Sequence, residues 1–114
     1  MKAVKSFVFF DAATSPAISE NYYANIKADV MAIEISGSFT SGTFAFEGQS
    51  DINSNTWTPI AGIDLSDFSV TSSPTKAGIY EVGIEGLQRF RVRIEALGGG
   101  AARVVGRAID SVGG

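Results

Sequence analysis

From Arg89 to Ala96 the chain alternates without a break, setting Arg89, Arg91, Arg93 and Glu95 against Phe90, Val92, Ile94 and Ala96. Successive side chains of a strand point to opposite faces, so this period of two places the four apolar residues on a core and the four charged ones on an outer surface. Leu97-Gly98-Gly99-Gly100 supplies turn residues, and Ala101 to Ile109 reads as a returning strand. The segment therefore predicts an antiparallel hairpin with one cationic face.

The same pattern recurs upstream. Val30 to Ser36 sets Met31, Ile33 and Ile35 against Ala32 and Glu34, and Gly42 to Gly48 sets Phe44 and Phe46 against Thr43, Ala45 and Glu47. With the turn-rich Gly37 to Gly42 between them, these two strands are expected to pair. Val4 to Phe10 reads as a first strand, with Phe7 and Phe9 on one face and Val8 and Phe10 on the other, a pattern suited to cover on both sides or to a subunit contact. Residues 11–29 read as a connection with one edge strand. Ser15-Pro16 interrupts any regular element there, Ser19 is only a weak helix start, and Tyr22 and Tyr23 would face opposite ways. Trp57-Thr58-Pro59-Ile60 suits an edge strand, where proline's missing N–H does least harm. Asp64 to Val70 is a further edge, and Ile79 to Ile84 directs Tyr80, Val82 and Ile84 to one side. About seven or eight short strands without a long amphipathic helix predict an all-β chain. The expected fold is a single antiparallel β-sandwich, jelly-roll-like, over residues 1–114, with 1–29 a candidate arm or edge segment and 111–114 a frayed tail.

Composition narrows the function. The 114 residues are 45% hydrophobic and 18% charged, which suits one domain with its own core. The chain has no cysteine and no histidine. That removes disulfides, thiolate metal sites, the usual general base at neutral pH and the common Ser-His and Cys-His arrangements, so the reading is of a protein that is not an enzyme. Residues 1–88 carry four lysines against ten acids, whereas residues 89–114 carry five arginines against Glu95 and Asp110. Such an asymmetry suits copies that pair through unlike surfaces, or docking on an acidic neighbour; a solvated sheet face explains it equally. No apolar run approaches the roughly 20 residues that cross a bilayer, and Asp11 cuts short the stretch Phe7 to Phe10, so a soluble protein without a membrane partner is expected.

Several constellations mimic chemistry and are better explained otherwise. Asp51-Ile52-Asn53-Ser54-Asn55 starts like a calcium loop, but Thr56 replaces the needed glycine and Gly62 the bidentate glutamate, which leaves a polar turn. Gly98 to Gly100 has no following Lys-Ser/Thr and no helix to form a phosphate cradle. Asp64 and Asp67 are the closest acidic pair, and turn roles account for both. The arginine row does not suit nucleic acid: the chain is acidic overall and Phe90 faces away from the guanidiniums. Trp57, Tyr22, Tyr23 and Tyr80 form a candidate glycan-stacking set, for which core and interface roles are the competing account.

Phe46-Glu47-Gly48-Gln49-Ser50-Asp51 with Trp57-Thr58-Pro59-Ile60, then Gly78-Ile79-Tyr80-Glu81-Val82 running through Gly86-Leu87-Gln88 into the Arg89 to Arg93 strand, resembles small accessory structural proteins of tailed bacteriophage virions. The resemblance covers about residues 44–109. It implies a β-sandwich that decorates the head or sits in the tail or baseplate, without catalytic, cofactor or metal residues. Its partners would be virion proteins, a major capsid or tail protein, together with copies of itself, and its place the virion after synthesis in the host cytoplasm. Capsid decoration is the favoured role. A carbohydrate-binding module or tail component is the alternative. The residues expected at the interface are Arg89, Arg91, Arg93, Arg103, Arg107, Trp57, Tyr22 and Tyr23, with Glu95 facing Arg103 and Arg91 facing Arg107 across the predicted hairpin.

Overall fold

The computed structural model describes residues 3–23, 28–51 and 53–110. Among the described residues eleven strands form: β1 (Ala3–Ala13), β2 (Ala17–Ile18), β3 (Tyr22–Tyr23), β4 (Ala28–Gly37), β5 (Ser41–Gln49), β6 (Thr58–Pro59), β7 (Gly62–Asp64), β8 (Val70–Thr71), β9 (Gly78–Gly83), β10 (Arg89–Gly98) and β11 (Ala102–Asp110). They make two antiparallel sheets. One runs β1-β11-β4-β9-β7-β8; the other runs β2-β10-β5-β6, with β3 also paired to β10. This is the expected all-β sandwich. The frayed tail expected at 111–114 lies outside the described residues.

Both expected hairpins are absent, and for one reason. β10 pairs with β5 while β11 pairs with β4 and β1, so the chain passes from one sheet to the other at Gly98–Ala101 and again between β4 and β5. The two crossings lie against each other. Ser38 N–H donates to Ala101 O at 2.9 Å, Thr40 N–H to Gly98 O at 3.0 Å, and Ala101 N–H to the Ser38 hydroxyl at 3.2 Å. Glycine is required here: Gly37 has φ +128°, and a Cβ on it would overlap the Ala101 carbonyl oxygen, while Gly99, at φ +77°, would strike Thr40. Alternation tells a residue which face it occupies but not which strand lies beside it, and turn-rich connections serve a crossing as well as a hairpin.

The core fills between the sheets. Phe44, Phe46, Phe90, Val92 and Ile94 enter from one side and Met31, Ile33, Ile35, Tyr80, Val82 and Val104 from the other, all essentially inaccessible. Burying each such side chain contributes about 1.5–3 kcal/mol. Edge-to-face pairs cross the gap, Phe9 with Phe90 and Phe46 with Tyr80, each with ring centroids 5.8 Å apart. Two irregularities adjust the expected faces. A bulge between Val8 and Phe10 leaves Val8 exposed and turns Phe10 back against the core, so β1 is not apolar on both sides. A second bulge between Ile94 and Ala96 leaves Ala96 exposed rather than buried.

Residues 17–23 are an interrupted edge strand along β10, whereas of the stretch 11–29 read as a connection, residues 11–13 complete β1 and 28–29 open β4. Ser19 joins its two pieces: its N–H donates to Val92 O and its hydroxyl accepts from Val92 N–H, each at 3.0 Å. That hydroxyl serves the neighbouring strand and caps no helix. The stretch read as one edge, Asp64 to Val70, is instead the loop of the β7–β8 hairpin, with Asp64 ending β7 and Val70 opening β8.

Candidate interaction site

Arg89, Arg91 and Arg93 occupy the outward positions of β10, as the alternation requires, and the adjacent β5 positions are Gln49, Glu47 and Ala45. Glu47 is the centre of this surface. Its carboxylate accepts from Arg91 Nε at 2.8 Å through one oxygen and from Arg93 at 3.0 and 3.2 Å through the other. Glu47 is consequently only 7% exposed, although it lies on an outer face. Arg91 also lies over the Trp57 ring, its guanidinium 4.0 Å from the centroid, with that of Arg89 at 5.7 Å. The loop that delivers Trp57 is held by Gln49, whose Nε2 donates to the carbonyls of Ser54 and Thr56, both at 3.0 Å. In the same loop Asn53 N–H donates to Asp51 Oδ1, the polar turn expected in place of a calcium loop. The result is a flat, braced surface of guanidiniums, indole and one carboxylate.

The other expected interface residues separate from it. Arg103 and Arg107 belong to β11 and therefore to the opposite sheet, so the five arginines do not form one surface. The predicted facing of Arg91 with Arg107 and of Glu95 with Arg103 is overturned: Arg91 lies opposite Glu47, Arg107 opposite Ala32, and Arg103 opposite Ser36. Arg103 pairs with Asp11. Arg107 has no ion pair among the described residues. Tyr22 is buried at the edge of the core, 5.5 Å from Phe7, whereas Tyr23 is 64% exposed. Since Tyr80 is also buried and Arg91 occupies Trp57, the four aromatics do not assemble into a stacking platform.

The outer face of the six-stranded sheet, which the sequence did not single out, is the more apolar. Val8, Ile63, Val70 and Ile79 stand exposed on it. Ala32, Glu34, Ile79, Val105 and Arg107 border a depression of about 290 Å³ at its middle. Beside this face the β7–β8 loop presents Leu65 and Phe68 to solvent.

With the sandwich and its two outer faces established, the chain can be placed among known proteins. The XepA family model matches residues 3–108. The chain belongs to the XepA family. Two solved structures share its fold closely. The SPBc2 prophage-derived protein YomS is 27% identical, with 96% of each chain covered and a TM-score of 0.89. The PBSX exported protein XepA is 25% identical with a TM-score of 0.89, over 96% of this chain and 38% of its own. This chain thus spans well under half of that relative. No curated protein matches. The family match and the likeness to a prophage-derived protein make this XepA-family chain phage-associated, which is the coarser part of what the sequence resemblance implied.

The geometry also shows which signals were available. The outward arginines of β10 were legible from alternation alone. The Glu47 pairing was not, because it depends on β5 lying beside β10. The exposed apolar row on the second sheet carried a signal in Ile79 and Val8, apolar residues out of phase with their strands' buried set.

Proposed function

We propose that this XepA-family protein is a non-catalytic structural component of a phage particle, and that it works by adhesion to other proteins, decorating the capsid surface. The observation that carries the reading is the outer face of the six-stranded sheet, where Val8, Ile63, Val70 and Ile79 remain exposed. Exposed apolar residues gathered on one sheet face suit a protein contact, and the charged groups set among them, Glu34 between Val105 and Ile79 and Glu81 between Ile63 and Ala32, together with Arg107, suit fixing its orientation. We read β1-β11-β4-β9 facing β2-β10-β5-β6, with β7 and β8 appended, as a jelly roll, an architecture used in viral capsid and lectin domains. A sequence without histidine or cysteine supports a role that does not turn over substrate.

A second reading, attachment to a host surface as a carbohydrate-binding or tail component, draws on the relative described as exported. The burial of Tyr22 and Tyr80 and the cover on Trp57 count against a glycan platform. The decisive experiment is co-sedimentation of the purified protein with phage particles that lack it, in parallel with a glycan array. Saturable binding to heads with a blank array supports decoration. Binding to sugars, or to no part of the particle, overturns it.

A further inference from the structure

Asp64 ends β7 opposite Tyr80 and is only 3% exposed. A carboxylate taken out of water is costly unless its oxygens are engaged, and here one of the two is. Oδ1 accepts from the N–H and the hydroxyl of Ser66, at 2.9 and 2.7 Å. Oδ2 accepts no hydrogen bond from a described residue: the Lys76 ammonium stands 3.9 Å away, beyond hydrogen-bond reach, on a side chain that is 65% exposed. With Thr71, Ser73, Thr75, Lys76 and Tyr80, Asp64 borders a pocket of about 170 Å³. The Tyr80 hydroxyl gives its proton to Lys76 O at 2.7 Å, so toward any other group it can only accept.

Charge and geometry narrow what the pocket can take. Asp64, with exposed Asp67 three residues on, opposes an anion. A hard metal ion wants several oxygen ligands, and no three His, Cys, Asp or Glu side chains gather to hold one among the described residues. The flat fork of a guanidinium suits a carboxylate with both oxygens free, whereas Oδ1 is taken. A primary ammonium fits: it is compact, and its three donors can serve Oδ2 and the surrounding hydroxyl oxygens. We propose that this pocket receives the ammonium of a lysine side chain from another protein of the particle, which bonds to Asp64 Oδ2 as Lys76 swings out into solvent. The inference rests on the assembly reading above and gives that contact a charged anchor. The place of the pocket favours a protein as the source. Ile63 and Val70, the neighbours of Asp64 and Thr71 in β7 and β8, stand exposed on the outer sheet face, so a protein seated there has the pocket within reach of a long side chain whose apolar stem crosses the edge.

Two measurements on the full chain test this. In the first, N-acetyl-lysine methylamide is titrated into isotope-labelled protein at millimolar concentrations, with the norleucine analogue as the uncharged control and calcium chloride in a separate arm. The lysine probe alone should shift the amide signals of Ser66 and Thr71 to saturation. Lys76→Gln should bind it up to about fivefold more tightly, since the exposed ion pair it removes is a weak competitor. Asp64→Asn, which can still accept from Ser66 and should keep the melting profile, should bind at least about tenfold more weakly. The absence of a saturable shift, a shift with calcium alone, or an Asp64→Asn variant that binds like wild type overturns the proposal. In the second, particles lacking the protein are treated with acetic anhydride, which neutralises their lysines, before co-sedimentation. Acetylation should weaken binding of wild type at least about tenfold and that of Asp64→Asn markedly less. Equal losses overturn the lysine partner. Failure of wild type to bind untreated particles removes the assembly reading instead, and the titration then decides the pocket by itself.

Discussion

Glu47 occupies a position that strand alternation assigns to solvent, yet Arg91 and Arg93 close over it and Trp57 caps Arg91. An outward residue has been given a covering layer of its own, built from side chains 44 and 46 positions away. No local sequence signal marks such a carboxylate. Tyr80 was legible as a core residue from its phase in β9, but not its hydroxyl, which donates to Lys76 O at 2.7 Å. Burial, and then the Asp64 carboxylate, hold this phenol above its ordinary titration range. A group whose folded value is raised adds stability that is complete below the unfolded tyrosine value of about 10 and is lost as pH climbs through the folded value. Urea midpoints measured from neutral to alkaline pH should therefore fall above about 10. The Tyr80→Phe variant should lose about 1 kcal/mol at neutral pH and show a shallower alkaline decline. An identical alkaline decline in both proteins would assign the effect to other groups.

At the scale of elements, the paired crossings between β4 and β5 and between β10 and β11 organise everything else. They put β5 beside β10 and β4 beside β11, and so bring Glu47 to Arg91 and Arg107 to Ala32. Faces were legible in the sequence because a period of two is local. Neighbours were not, because a short glycine-rich connection can turn back within a sheet or step across the roughly 10 Å to the facing one. What selects the step is the fit of one crossing on the other, through Gly37, Ser38 and Ala101. Gly37→Ala should consequently cost at least about 2 kcal/mol in chemical denaturation, from strained backbone and overlap with the Ala101 carbonyl. Gly83→Ala is the control: it lies in a strand with nothing within 4 Å of the added Cβ, and should be neutral or stabilising by up to about 1 kcal/mol. Equal costs at the two sites would remove the crossing's special role.

For the molecule as a whole, the charge asymmetry seen along the sequence does not become an asymmetry in space. The arginines of β10 lie on one outer surface and those of β11 on the other, so the sandwich has two chemically distinct sides: one polar and internally paired, one with exposed apolar residues interspersed with Glu34, Glu81 and Arg107. The adhesion proposed above uses the second. Ile79→Lys, on an exposed outward position, should leave folding stability within about 0.5 kcal/mol while abolishing particle binding; a matching loss of stability would return Ile79 to a packing role.

The pairing of β1 with β11 begins at Ala3 opposite Asp110, so the described chain enters and leaves the sandwich at neighbouring points. Tension drawn between those points would open the β1–β11 ladder one rung at a time, like a zip, rather than shear all its hydrogen bonds together. Load applied at Ala3 and Asp110 would therefore meet the β1–β11 hydrogen bonds a pair at a time.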